Sequence, residues 1–209
     1  MSLTLIGLTG NIACGKSTVL RLLEQRGAQV IDADKLTHEL QQPGQPVYNQ
    51  IIAAFGPNIL VAPDGPIDRK KLAAIVFGNS AELKRLEAIV HPAVRARILA
   101  WITELSSEHW QPPSPKSQAP NVAVLDAIKL LESGWGERVD AVWVVTCSPE
   151  QQLRRLLETR GMTEDEARMR ITAQPPQAEK IARAHVVIDN SGTLAETEHQ
   201  VNAAWASIG

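Results

Sequence analysis

Residues 10–17 read Gly-Asn-Ile-Ala-Cys-Gly-Lys-Ser and fit G-x-x-x-x-G-K-[ST] without a mismatch. They follow a short apolar run at 3–8 and precede Val19, Leu22 and Leu23, which repeat at helical spacing. Strand, glycine loop and helix together are the context in which this pattern cradles phosphate. Glycines let the backbone curl until successive N–H groups face phosphate oxygens, and the positive end of the helix dipole adds to them. Lys16 is then placed to reach the β- and γ-phosphates of a nucleotide, and Ser17 to enter a magnesium shell. Cys14 lies inside the loop, where a helix N-terminus would favour a thiolate. A small residue tolerated by the loop accounts for it better than a redox switch.

Around this loop the chain reads as an α/β protein. Residues 28–32 (AQVID) form a second strand after a helix ended by Gly27, completing one βαβ unit. From Lys35 to about Leu105 the pattern is mostly helical, interrupted at 43–44, 56–57 and the turn 63–66. Pro92, after His91, is expected to open a new helix. Residues 111–120 (QPPSPKSQAP) read as a solvated surface loop. Residues 121–126 (NVAVLD) and 141–147 (AVWVVTC) are β-branched, apolar and strand-like. Ser148 to Gln151 and Thr163 to Glu166 are capping-box patterns that should start helices. Residues 186–188 read as the last strand, and a closing helix follows Thr193. Trp143 is expected in the core because it sits within a strand; Trp101, Trp110, Trp135 and Trp205 are open between core and ligand stacking.

Bulk properties narrow the class. The chain has 209 residues, 44% of them hydrophobic, enough for a single α/β domain with inserted helices. A formal net charge of -2 argues against a general binder of nucleic acid or membrane surface. Two cysteines, Cys14 and Cys147, make neither a disulfide framework nor a zinc set, which suits a reducing cytoplasm. The apolar start lacks a basic n-region and reads as a buried strand rather than a signal peptide.

Asp32-Ala33-Asp34 falls at the carboxyl end of the second strand, the edge of a parallel sheet that faces the ligand crevice. A carboxylate there could take the proton of an acceptor hydroxyl, or could cap the following helix. Position alone leaves both open.

Over nearly its whole length the chain resembles the dephospho-coenzyme A kinase family. The resemblance is carried by GLTGNIACGKSTV, VIDADKL, IDRKKLAAIVFGNSAELKRLEAIVHP, VAVLD, LLESG, DAVWVVTCSPEQQLRRLL, RGMTEDEARMRITAQ and VVIDNSG, in that order. It implies a three-layer P-loop NTPase fold with a mainly parallel central sheet. The expected core is 1–34, 121–147 and 184–209, with a helical acceptor-binding insertion at about 35–110 and a helical lid at about 150–180. It implies ATP and Mg2+, with phosphate placed on the ribose 3′-hydroxyl of dephospho-coenzyme A. The implied partners are these small molecules, without nucleic acid or membrane; the oligomeric state is open, with a monomer favoured.

Carried over by position, Asp34 becomes the base, with Lys16 and Arg155 as the other catalytic groups. Asn11, Ile12, Ala13, Cys14, Gly15, Lys16, Ser17, Thr18, Arg155 and Asn190 become the ATP-binding set. His91 and Lys129 join Asp34 on the acceptor side. His91 is equally open to being a packed or capping histidine, and Lys129 to simple exposure. Asp126, with Ser17, is implied at the metal, although Asp126 could instead orient Lys16 or Ser17. Arg154, Arg160 and Arg170 share the expected lid with Arg155.

The chain also departs from the family pattern. Asn11, Ala13 and Cys14 stand where the family usually has glycine or serine, which would restrict the loop if positive φ is required. Lys129 replaces a common proline, and Thr146 and His185 replace common aspartates. Two other readings stay in view: another small-molecule P-loop kinase, and a nucleotide-binding regulatory protein without turnover.

Overall fold

A computed structural model describes residues 3–107 and 121–208. The expected surface loop at 111–120 and Trp110 fall outside the described residues. In chain order the first elements are β1 (Thr4–Gly10), α1 (Lys16–Gln25) and β2 (Gln29–Asp32). Then come α2 (Ala33–Leu40), α3 (Pro46–Phe55), α4 (Arg69–Val76) and the long α5 (Ser80–Leu105). The second half holds β3 (Val122–Asp126), β4 (Ala141–Thr146), α6 (Pro149–Arg160), α7 (Glu164–Thr172), α8 (Gln177–Ile181), β5 (Val186–Asp189) and α9 (Leu194–Ala206). The chain divides into two compact units, Met1–Ile31 with Glu108–Gly209, and Asp32–Ser107.

The first unit is built on a sheet of strand order β2-β3-β1-β4-β5. β1 pairs in parallel with β3 on one side and β4 on the other, and β4 pairs in parallel with β5. A parallel sheet has both faces covered by packed elements, which is why its central strands β1, β3 and β4 are nearly continuous apolar runs. Ile6, Leu8, Val124, Trp143 and Val145 form one core with Val19, Leu22 and Leu23 of α1 and Val201 of α9. Gly7 points to the other face, against the side chains of Leu130 and Val139. Trp143 is 1% exposed, as its strand position predicts, and Trp135 is buried too.

The parallel register brings several strand ends to one edge. Leu8 lies opposite Asp126, Gly10 opposite Val145, and Thr146 opposite Asp189. The glycine loop, the last residue of β3 and the residue after β5 therefore emerge together, at the edge where open α/β sheets bind ligands.

The second unit is helical. Val47, Tyr48, Ile51, Ile59, Leu60, Leu72, Val76 and Val90 form its core. Asp32, Asp68 and Asn79 cap α2, α4 and α5 by accepting from backbone N–H groups of the first turn. The sequence expectation of a break at His91-Pro92 is overturned, because α5 runs through Pro92. An interior proline removes one helical bond and strains the preceding turn, at about 3 kcal/mol or more. Packing offsets that cost: α2, α3 and α4 all lie against α5, and Val90 and Ile98 are buried on either side of the proline.

A second expectation holds only in half. Ser148 accepts from the Gln151 N–H, but the Gln151 amide turns away to the Ser191 carbonyl, 2.8 Å distant. Thr163 with Glu166 forms the full reciprocal box, as does Thr193 with Glu196.

Replacing Trp143 by alanine should destabilise the protein by about 3–5 kcal/mol, the range for deleting a buried aromatic. Phe77→Ala, at a side chain 78% exposed, should stay within about 0.5 kcal/mol. Denaturant midpoints for the two variants check the pair.

Candidate active site

The glycine loop owes its path to two glycines. A Cβ on Gly10 would sit 2.5 Å from the Val145 carbonyl oxygen, so only glycine lets β1 end this close to β4. Gly15 caps α1 in the left-handed region, φ 86°, and any side chain there would collide with the Asn190 amide. Ala13 also adopts a left-handed φ, 59°, so the restriction expected from this substitution falls on a real constraint; Asn11 has no positive φ. A non-glycine residue in that region costs roughly 1–2 kcal/mol.

The surrounding contacts hold Ala13 in place. Gln152 Nε2 donates to the Ile12 carbonyl at 2.7 Å, Arg155 Nη1 to the Ala13 carbonyl at 3.3 Å, and Asn190 Nδ2 to the Cys14 carbonyl at 2.8 Å. Three successive carbonyls are thus engaged from outside. The amides of Ala13 and Gly15 have no protein acceptor among the described residues. Those of Lys16 and Ser17 belong to the first turn of α1, whose N–H groups have no partner within the helix. A cluster of free N–H groups at a helix N-terminus binds anions.

The charged groups converge on the same loop. Lys16 forms an ion pair with Asp126, which is 3% exposed at the end of β3. Of the sequence alternatives for Asp126, orienting Lys16 is therefore what the structure displays. Ser17 is exposed at the start of α1. Arg155 is half-buried and bridges the loop to the Asn190 carbonyl, 2.8 Å from its Nη2. Arg154, Arg160 and Arg170 are exposed, and Arg154 faces Glu158 across one helical turn. Asn190 is buried, and its Oδ1 accepts from the Thr197 hydroxyl at 2.8 Å, so its amide is spent on holding the loop.

Cys14 and Cys147 meet, with their sulfur atoms 3.0 Å apart and both buried. Contact with Cys147 and then burial push the Cys14 thiol well up, so it stays protonated. A buried, protonated thiol agrees with Cys14 as a small residue of the loop rather than a redox switch. The Cys147 thiol is pulled down, first by its contact with Cys14 and then, against burial, by the Arg155 charge.

Several contacts had no sequence signal strong enough to find. Gln174 Oε1 accepts from the Ile12 N–H at 2.7 Å, and Asn11 Nδ2 donates to the Pro175 carbonyl at 3.1 Å. Gln177 donates to the Cys147 carbonyl, 3.0 Å away. Gln152 could have been noticed, since it shares an apolar helical stripe with Leu156 and is just as buried. The two replaced aspartates are accounted for: Thr146 Oγ1 donates to the Ile188 carbonyl, and His185 Nδ1 accepts from the Val142 N–H at 3.0 Å.

Asp34 and His91 belong to the second unit, and Lys129 is exposed just after β3. Asp32 accepts from the N–H groups of Asp34 and Lys35, both at 2.9 Å. The capping role that the sequence left open thus goes to Asp32, while the Asp34 side chain is exposed on the first turn of α2. His91 is exposed on α5, which removes the packed-histidine alternative. Among the described residues no helix is long and apolar enough to cross a membrane.

Comparison with known proteins agrees with this geometry. A family model described as dephospho-CoA kinase matches residues 4–196. A dephospho-CoA kinase of Geobacter sulfurreducens is 48% identical over 204 residues, covering 98% of this chain and 98% of that protein. A crystal structure of a Thermus thermophilus protein superposes with TM-score 0.81 at 31% identity, covering all of both chains. The structure of the dephospho-CoA kinase from Campylobacter jejuni gives TM-score 0.62 at 28% identity, over 99% of this chain and 98% of that one. With a braced phosphate loop at the carboxyl edge of a parallel sheet, and relatives matched from end to end, the chain belongs to the dephospho-CoA kinase family.

Proposed function

We propose that the protein transfers the γ-phosphate of ATP to the 3′-hydroxyl of the ribose of dephospho-CoA, giving CoA and ADP, the last step of CoA biosynthesis. The observation that carries this is the full-length family match joined to an intact phosphate loop, with Lys16 and Ser17 in place. Residues 10–18 bind the triphosphate through backbone N–H groups and the start of α1. Lys16, paired with Asp126, turns to the β- and γ-phosphates when the nucleotide binds.

Transfer is written as an in-line displacement. The acceptor oxygen bonds to the γ-phosphorus while the bond from phosphorus to the β–γ bridging oxygen breaks, and ADP leaves. Asp34 takes the hydroxyl proton. Support for that role comes from Asp32, which supplies the helix cap and leaves the Asp34 carboxylate available. Arg155 stabilises charge developing on the phosphoryl group, because its guanidinium is already anchored beside the loop. Asn190 keeps the loop in shape beside the nucleotide. The helical unit Asp32–Ser107 carries the acceptor, with His91 and Lys129 as further contacts. The helices within 150–180 act as the lid.

Magnesium fits this site. Among the described residues no three carboxylates, histidines or cysteines gather to hold a metal by themselves. Mg2+ needs few protein ligands when phosphates and waters supply the rest. Ser17, with Asp126 acting through water, would hold it, and it would neutralise charge on the phosphates.

Lys16→Ala should abolish most turnover, because its charge acts where water is excluded. Asp34→Asn should lower kcat by about 10²–10⁴-fold with little change in melting temperature. Near-normal kcat in Asp34→Asn would remove the base role. The function itself is tested by ADP release from magnesium-ATP with dephospho-CoA, AMP or adenosine as acceptor. Stimulation by dephospho-CoA alone is expected, and stimulation by AMP instead would make the protein a nucleotide kinase.

A further inference from the structure

Two charged side chains are buried among the described residues, Asp126 and Lys180, each 3% exposed. Asp126 is neutralised by Lys16. Lys180 has no such partner: among the described residues no carboxylate lies within ion-pair distance of its ammonium. Its hydrogen bond goes to a backbone carbonyl, that of Ile128, at 3.1 Å. An ammonium carries three donors, and a buried charge without a countercharge is costly.

A structural strut explains this poorly. The Ile128 carbonyl already accepts from the Thr9 hydroxyl at 3.0 Å, so it would not be left unsatisfied without Lys180. Lys180 also senses a second cation. Burial lowers its affinity for a proton, the charge of exposed Glu132 partly restores it, and the charge of Lys16 lowers it again. The Lys180 ammonium therefore feels the charge of Lys16, and it shares the Ile128 carbonyl with Thr9, which directly precedes a loop built to bind anions.

The placement is specific. Ile128 lies two residues beyond β3, so the Lys180 ammonium sits on the β3 side of β1. Arg155 and Asn190 brace the loop from the β5 side. The segment leading to α8 is tied to the loop through Gln174 and Pro175, and α8 itself is tied to Cys147 through Gln177. Lys180 thus belongs to a short helix whose own residues and approach are tied to the phosphate loop and to the end of β4.

We propose that Lys180 is a second phosphate-binding lysine, which contacts the terminal phosphate of the bound nucleoside triphosphate and stabilises charge on it during transfer. This rests on the proposed function for the identity of the triphosphate, while its binding test needs no acceptor. The bound polyanion supplies the countercharge that no carboxylate of the described residues gives Lys180. The burial cost of the ammonium is thereby turned into discrimination between triphosphate and diphosphate.

The test uses the full chain with Lys180→Met, which keeps length without charge, and Lys180→Arg, which keeps the charge. Affinities for magnesium ADP and for the magnesium β,γ-imido analogue of ATP are measured by calorimetry, with melting temperatures of the unliganded proteins alongside. Lys180→Met should weaken the triphosphate analogue about tenfold to a hundredfold, the worth of a charged hydrogen bond, and barely change ADP. Its melting temperature should hold or rise, because a buried uncompensated charge is gone. Lys180→Arg should recover most of the triphosphate affinity. If Lys180→Met does not fold, Lys180→Gln takes its place. Equal loss for both nucleotides, or unchanged affinity for both, would overturn the proposal and leave Lys180 a strut. Wild-type protein that binds the analogue yet shows no acceptor-dependent ADP release would instead count against the proposed function, with the Lys180 comparison still readable.

Discussion

Everything at the site depends on how the loop after β1 is held by its carbonyl oxygens. Gln152, Arg155 and Asn190 come from α6 and from the residue after β5, and each takes one of the carbonyls of Ile12, Ala13 and Cys14. Engaging those oxygens from outside frees the opposite side of the backbone for N–H groups to face a phosphate. The same contacts hold Ala13 in a conformation that an L-residue avoids. Side-chain bracing thus supports Ala13 in a conformation that glycine adopts freely, with the lysine and the hydroxyl in place.

The braces are possible because the sheet is parallel and in register. β1, β3, β4 and β5 end at one edge, so groups distant in sequence meet there. Asp126 reaches Lys16 across the β1–β3 pair, and Cys147 reaches Cys14 across the β1–β4 pair. An apolar layer of Ile6, Leu8, Val124, Trp143 and Val145 against α1 and α9 keeps these strand ends in place. Positive charge accumulates at that edge on Lys16, Arg155 and Lys180, with Asp126 opposing it. Such an arrangement suits a polyanionic ligand.

Much of this was legible in the sequence, and for physical reasons. The phosphate loop is local, so its residue types and spacing state its geometry. Thr163 and Thr193 announced their helices because a capping box is also local. Pro92 misled because its local cost is outweighed by three helices packed along α5, a tertiary effect that no window of sequence contains. The contact that keeps the Cys14 thiol protonated was hidden for a similar reason: its neighbour Cys147 is remote in the chain. Gln174 and Lys180 gave no warning, since isolated polar residues are usually solvated. Gln174 takes its meaning from a hydrogen bond to a loop more than 150 residues earlier, and Lys180 from burial against the Ile128 carbonyl. The aspartates of Asp32-Ala33-Asp34 could be separated only by hydrogen-bond geometry, which gives the cap to Asp32.

The central claim is that this site directs phosphate to one hydroxyl of one acceptor, and the position of the phosphate in the product tests it most directly. The purified protein would be given magnesium-ATP and dephospho-CoA. The product would be examined by phosphorus NMR before and after treatment with a nucleotidase specific for 3′-phosphates. A single new phosphomonoester on the ribose 3′-oxygen, removed by the nucleotidase and formed in step with ADP, is the result the account predicts. Phosphate on another oxygen, or inorganic phosphate released while dephospho-CoA stays unchanged, would contradict it.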